Sequence, residues 1–218
     1  MMLAIDGLFD AGTLVALREA AEALDFADGA ATAGALARRV KANDQAVASP
    51  ERDALLAKVS AVVTAHTVFL SAARPLRISP LILSRYREGQ TYGLHVDDAL
   101  MQGLRADLSF TLFLSEPESY DGGALVIEDS FETRAVKLGA GEMILYPSTT
   151  LHRVEPVTRG ARLAVVGWVQ SRVRDSGQRE ILFDLDRSIA DLQAGGSAAL
   201  LDRLAKTRSN LLRMWAEV

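Results

Sequence analysis

From Pro75 to Val169 the chain reads as short runs of branched and aromatic residues, broken every few positions by Gly, Pro or Asp. The runs predict strands at Ile78 to Arg85, Asp107 to Leu114, Ala124 to Glu128, Thr133 to Lys137, Met143 to Tyr146, His152 to Glu155 and Arg162 to Val169. Many short strands at this spacing point to two sheets packed face to face, a double-sheet jelly roll. The flanks differ. Asp10 predicts the cap of a helix running through Leu24, with Leu14, Leu17, Ala21 and Leu24 on one face. Ser49-Pro50 opens a second helix continuing through about Ala72, its stripe formed by Leu55, Leu56, Val59, Val62, Val63, His66 and Leu70. Between them Ala27 to Ala48, which includes Gly29 and Gly34, reads as solvated loop with an edge strand. From Asp184 to Val218 the period is helical again, with Leu200, Leu201, Leu204, Leu211, Leu212 and Trp215 as packing residues that brace the sheet or a partner subunit. The expected fold class is mainly β with flanking helices around a double-stranded β-helix core. It forms one domain: a helical and loop region to residue 75, the jelly roll from 76 to 172 and a helical region from 173 to 218.

At 218 residues and 49% hydrophobic content, one domain of this kind can bury a sizeable core. The absence of cysteine excludes disulfides and thiolate metal sites, and permits a reducing compartment. Met1 to Phe9 lacks the basic and long apolar segments of a signal peptide, and no run reaches the roughly 20 apolar residues needed to span a bilayer. A cytoplasmic protein without a membrane partner is the expectation. A net charge of -4 argues against nucleic acid as an obligatory partner.

Chemistry concentrates in a few residues. On an extended strand, positions i and i+2 share a face, so His95 and Asp97 of Gly93-Leu94-His95-Val96-Asp97 can reach one ion while Val96 points away. The chain has 3 histidines, and His66 belongs to a helical stripe as a packed, hydrogen-bonded residue, so His152 is the candidate third ligand. Two imidazoles and one carboxylate leave positions open on the metal, the arrangement of Fe(II) enzymes that activate oxygen. Zinc sites usually carry Cys or a His-Glu-x-x-His helix, and neither occurs here. By itself His-x-Asp is a short pattern that chance often produces. Arg162 adds weight, because it stands in the apolar run Gly160 to Val169, and arginine is rarely buried without an anionic partner. A guanidinium near such a metal suits a dicarboxylate cosubstrate; a structural salt bridge is the alternative. Tyr86 and Tyr92 can hydrogen-bond a cosubstrate or line the mouth, and Thr111 and Tyr146 can reach its far carboxylate. Gly122-Gly123 is no phosphate loop, lacking the following helix and Lys, and reads as a tight turn opening a strand.

Beyond these positions the chain resembles the Fe(II)- and 2-oxoglutarate-dependent dioxygenases, and within them the bacterial PKHD-type hydroxylases, relatives of the prolyl 4-hydroxylases. The resemblance is carried by Arg85-Tyr86-Arg87-Glu88-Gly89, the His95 segment, Asp107 to Leu114, Tyr120-Asp121-Gly122-Gly123-Ala124-Leu125, Leu145-Tyr146-Pro147, Leu151-His152-Arg153-Val154, Val157 to Arg162 and Gln178 to Asp186. It implies iron held by His95, Asp97 and His152, with 2-oxoglutarate on Arg162. Tyr86 matches the family's Tyr-x-x-Gly element and is implied as a second cosubstrate contact. Asp98 departs from the expected Asn and should face away from Asp97. The Arg38-Arg39-Val40-Lys41 patch matches a region bordering the catalytic mouth. The implied reaction consumes O2 and 2-oxoglutarate, releases succinate and CO2, and hydroxylates an unactivated C–H bond of a peptidyl or free amino-acid substrate or small metabolite. L-ascorbate is implied as the reductant restoring Fe(II). Retention of Asp97 favours hydroxylation over the halogenation of relatives that lack this carboxylate. Two other readings stand beside this one: a metal- and 2-oxoglutarate-binding sensor without turnover, and a cupin-type metalloenzyme in which Arg162 is only structural. The amphipathic C-terminal helix offers a surface for a homodimer.

Overall fold

Alternation along four neighbouring strands decides where Arg162, Tyr86, Thr111 and Tyr146 point. In Leu108–Phe113, Met143–Pro147, Ile82–Arg87 and Ala161–Ser171, the residues Leu108, Phe110, Leu112, Met143, Leu145, Leu83, Leu163, Val165 and Val169 enter one apolar core with helical residues. Their neighbours of opposite parity face the other way, among them Tyr86, Phe113, Ile144 and Tyr146 in a second core. Both faces are thus covered. All 6 residues of Leu108–Phe113 are buried, which erases the polar-apolar alternation of a half-exposed strand.

The computed structural model describes all residues except 33–36, 102, 129–131, 194 and 196; part of the Ala27 to Ala48 stretch, including Gly34, therefore lies outside it. The strands form an antiparallel major sheet in the order Leu3–Ile5, Met143–Pro147, Leu108–Phe113, Ala161–Ser171, Ile82–Arg87, Asp44–Ala46, Phe26–Asp28, with Pro75–Ile78 beside the far end of Ala161–Ser171. The minor sheet runs Thr133–Val136, Leu125–Glu128, Leu151–Val154, Thr91–His95, Lys41–Ala42. Leu125, Ile127 and Val154 of the minor sheet pack against Tyr86, Phe113, Ile144 and Tyr146 of the major one, closing the jelly roll at this end. The opposite face of the major sheet is covered by helices.

Those helices are α1 (Ala11–Glu22), α2 (Pro50–Ala65), α3 (Thr67–Ala73), α4 (Ser176–Gln193) and α5 (Ala198–Trp215). Asp10 caps α1 by accepting from the Thr13 N–H at 2.9 Å, and Ser49 caps α2 by accepting from the Arg52 N–H at 3.1 Å. Leu17, Ala21, Leu55, Val59, Val63 and Phe69 supply the buried face.

Four expectations need correction. The first 75 residues are not helix and loop alone: Leu3–Ile5, Phe26–Asp28, Lys41–Ala42 and Asp44–Ala46 add edge strands to both sheets. These are too short and polar to show period 2 in sequence. The helix expected to run to Ala72 breaks at His66, where α2 and α3 meet at a 76° bend. Leu70 is consequently 40% exposed, and the His66 Nδ1 has no hydrogen-bond partner. The strand expected from Ile78 to Arg85 divides, because Pro80 cannot donate to a ladder and Ser79 instead bonds Trp168 through its own N–H and its hydroxyl. The tail is helical from Ser176 rather than Asp184 and forms two helices, with Leu201, Leu204, Leu211, Leu212 and Trp215 half-buried and Leu200 at the surface. No single helix among the described residues is long and apolar enough to cross a membrane.

Candidate metal centre and its pocket

His95 ends one minor-sheet strand and His152 lies on the next, directly opposite it in register. Their rings approach to 4.3 Å between centroids, and Asp97 joins them with Oδ1 3.8 Å from His152 Nε2. One ligand atom from each of the three residues falls within 4.8 Å of the others, within reach of a single ion. Among the described residues no other group of His, Asp or Glu does this.

Local hydrogen bonds prepare each ligand. His95 Nδ1 donates to the Gly93 carbonyl at 2.8 Å and His152 Nδ1 to the Thr150 carbonyl at 3.1 Å. A carbonyl only accepts, so each Nδ1 carries the proton and each Nε2 presents a lone pair. Burial, reinforced by the neighbouring His152, pushes His95 down to about 4 and keeps it neutral, as a ligand must be. Tyr92 stacks on the His95 ring at 3.6 Å, and Tyr146 meets His152 edge to face at 5.2 Å. Asp97 Oδ2 accepts from the Ser109 hydroxyl at 2.5 Å, and Ser109 in turn lies 2.7 Å from the Ser148 hydroxyl.

The three groups open into a pocket. Arg162, Tyr86, Tyr92, Thr111 and Tyr146 all line it, with Leu125, Val154 and Val166 as apolar wall. Arg162 is 1% exposed, opposite Tyr86 in register, and its guanidinium lies 5.4 Å from the Tyr86 ring and 5.0 Å from the Phe113 ring. It pairs with no described Asp or Glu, and its Nε has no hydrogen-bond partner, so the salt-bridge alternative fails. A buried cation with an unmet donor inside a pocket fits an anionic ligand. Tyr86 is buried; burial raises its pKa, which the positive Arg162 and the neighbouring Ser84 and Asn43 partly offset. Tyr146 is held well above the usual phenol value, chiefly by burial and then by the negative Asp97. Both phenols therefore stay neutral donors near pH 7.

Asp98 is exposed at the mouth and not among the three convergent groups, and His66 lies on the helical side. Of the Arg38 to Lys41 patch, Lys41 reaches the pocket wall, with its Nζ 5.2 Å from the Tyr92 ring. Burial lowers Lys41 to about 8, with Asp97 and Asp28 opposing. Gly122 and Gly123 form no turn of their own: Gly122 ends the short strand Asp121–Gly122, irregular in register against Val157–Arg159, both glycines have positive φ, and a Cβ on Gly122 would sit 2.0 Å from the Pro156 carbonyl oxygen. Sequence reasoning missed Ser109, Ser148 and Trp168. Trp168 lines the mouth with an unpartnered indole N–H, opposite Ser109 in register. Parity was an available signal for it: Trp168 is an even number of residues beyond Arg162 on one strand, so the two share a face.

Comparison with known proteins agrees with this arrangement. Residues 81–170 match the 2OG-Fe(II) oxygenase superfamily, and residues 176–217 match the PKHD-type hydroxylase C-terminal domain. A PKHD-type hydroxylase of Maricaulis maris is 53% identical over 193 residues, 88% of each chain. One of Hyphomonas neptunium is 48% identical over 229 aligned residues, covering both chains fully. Among solved structures, a Pseudomonas putida prolyl-4-hydroxylase superposes with TM-score 0.54 at 23% identity, over 78% of this chain and 92% of that one. A Trichoplax adhaerens prolyl hydroxylase gives TM-score 0.57 at 16% identity, over 83% and 86%. The structural likenesses establish the double-stranded β-helix fold, and the close relatives establish the family. The chain belongs to the PKHD-type hydroxylases, dioxygenases of the 2OG-Fe(II) oxygenase superfamily.

Proposed function

We propose that this protein hydroxylates an unactivated C–H bond of a peptidyl or free amino-acid substrate or a small metabolite, with His95, Asp97 and His152 holding iron and Arg162 holding 2-oxoglutarate. The observation that carries the reading is Arg162, a fully buried cation with no acidic partner among the described residues, in the same pocket as three convergent ligand groups. Bound there, Fe(II), 2-oxoglutarate and O2 supply an oxidative decarboxylation to succinate and CO2 coupled to insertion of oxygen into the C–H bond.

The chain's own residues do the rest. Arg162 offers a two-pronged donor to the far carboxylate, and its depth in the barrel prevents water from screening that contact. Tyr86 and Phe113 wall the guanidinium, while the neutral Thr111 and Tyr146 hydroxyls flank the same end. The two imidazoles stay neutral with Nε2 presented, and Leu125, Val154 and Val166 exclude stray water. Trp168, which stands six residues past Arg162 on the same strand, lines the pocket together with Gln45 and Lys41, and these three offer polar contacts to a substrate. The absence of cysteine accords with work in the reducing cytoplasm, where ascorbate or another reductant would keep the iron ferrous.

Anaerobic titration of the Fe(II)-loaded protein with 2-oxoglutarate, followed through the weak visible charge-transfer band of the chelate, tests the reading. The band should saturate in the wild type, and in Arg162→Ala the apparent Kd should rise by about a hundredfold, the loss of roughly 3 kcal/mol carried by a buried charge-assisted pair. Iron-loaded wild type that develops no band, or an Arg162→Ala variant that titrates like wild type, would overturn it.

A further inference from the structure

The Asp97 carboxylate is not left to find the metal by itself. Its two oxygens have different surroundings: Oδ1 faces His152 Nε2 at 3.8 Å, whereas Oδ2 accepts from the Ser109 hydroxyl at 2.5 Å. Ser109 spends its only proton on Asp97, so the 2.7 Å contact with Ser148 is a bond that Ser148 donates. Both serines are almost fully buried, at 2% and 3% exposure, where water cannot replace either bond. Neither is left to local chance. Ser109 stands in the rigid centre of the major sheet, and the Ser148 N–H is fastened to the Asp107 carbonyl at 3.2 Å. The Asp107 side chain is in turn clamped by both prongs of Arg105, at 2.7 and 2.9 Å, and by the Ser171 N–H at 2.8 Å.

We infer that Ser109, oriented by Ser148, is a positioning residue that confines Asp97 to one-oxygen ligation of the metal, and so keeps a coordination position open. The inference rests on the metal reading above. A carboxylate with both oxygens free can turn and bind an ion through both, occupying a position that cosubstrate or oxygen needs. A hydroxyl pinned on Oδ2 forbids that rotation, and it shortens the search of Asp97 for the ion when the site is empty. Orienting partners of this kind typically change metal affinity by about ten- to hundredfold.

The test is anaerobic titration with Co(II), an oxygen-stable probe whose visible spectrum reports coordination number, on wild type, Ser109→Ala, Ser109→Thr and Ser148→Ala. Thermal melting of each metal-free protein serves as the folding control. Ser109→Ala should bind cobalt about ten- to hundredfold more weakly with an altered visible spectrum, Ser109→Thr should restore both through its hydroxyl, and Ser148→Ala should show the same loss to a smaller degree. If Ser109→Ala misfolds, Ser148→Ala carries the decision by itself, since it acts through the same hydroxyl. Wild-type affinity and spectrum in the folded alanine variants would overturn the inference while leaving the metal reading intact. Failure of the wild type to bind cobalt or iron at all would remove the metal reading and the inference with it.

Discussion

At the scale of single residues, the pocket is a set of polar groups whose ordinary behaviour has been altered by burial. His95 shows this most directly. Its folded value near 4 lies below the ordinary 6.5, because burial and His152 disfavour the imidazolium. The unfolded chain therefore takes up a proton between those two values that the native metal-free state refuses. Stability of the metal-free protein should be flat above about pH 7.5 and should fall as pH drops from about 6.5 towards 4. Urea midpoints measured across that window would show it, and His95→Asn should flatten the slope; an unchanged slope in that variant would assign the acid sensitivity elsewhere. That His95, Asp97 and His152 converge, and that Arg162 is buried in the same pocket, was legible from residue type and spacing, because positions i and i+2 of extended chain share a face and because arginine in an apolar run is drawn inward with it. Ser109 and Ser148 were not legible. A serine carries no mark of the oxygen it will meet, and their partner Asp97 stands just past the end of a strand in the other sheet.

Among the elements, α3 ends on Arg74, a non-glycine residue at φ 46°. That left-handed geometry costs about 1 kcal/mol and is held by what the side chain reaches. Arg74 donates to the Leu182 carbonyl at 3.1 Å and to Asp186 at 2.7 Å, and Asp186 also receives Ser71 and Arg208. One aspartate on α4 thus gathers α3 and α5. Arg74→Ala should lower unfolding free energy by about 3 kcal/mol, since it leaves a largely buried carboxylate short of a partner. A loss under about 1 kcal/mol, read from denaturant melts, would mean that Arg208 suffices. Apart from Ile82–Arg87, which Pro80 separates from Pro75–Ile78, the expected strands were legible to within one or two residues because each is a compact run between turn residues. The bend at His66 was not, since the helical stripe continues through it and only the packing of α3 against the sheet turns the chain.

For the whole molecule, the two sheets close on one pocket, and binding there should stabilise the entire fold. A ligand at 100 times its Kd adds about 2.7 kcal/mol, which for a chain of this size raises Tm by roughly 5 to 10 °C. Anaerobic Fe(II) together with 2-oxoglutarate should produce such a shift in the wild type, and Asp97→Ala should lose most of it. Equal shifts in both proteins would show that the stabilising site lies elsewhere. The C-terminal pair of helices takes part through Glu217, whose carboxylate accepts from Arg105 at 2.8 Å at the foot of the strand that carries Ser109. That contact is half-exposed and salt should weaken it.

Local periodicity determined the double-sheet architecture, the caps of α1 and α2 and the chemical character of the centre, because side-chain parity and capping act over a few residues and are written in neighbouring letters. Tertiary structure decided the rest: which edge strands the first 50 residues lend to each sheet, the register that sets His95 against His152, the absence of any described acid paired with Arg162, and the serine pair behind Asp97. Each of these joins residues far apart in the chain, where only the closing of the barrel brings the partners within hydrogen-bonding distance.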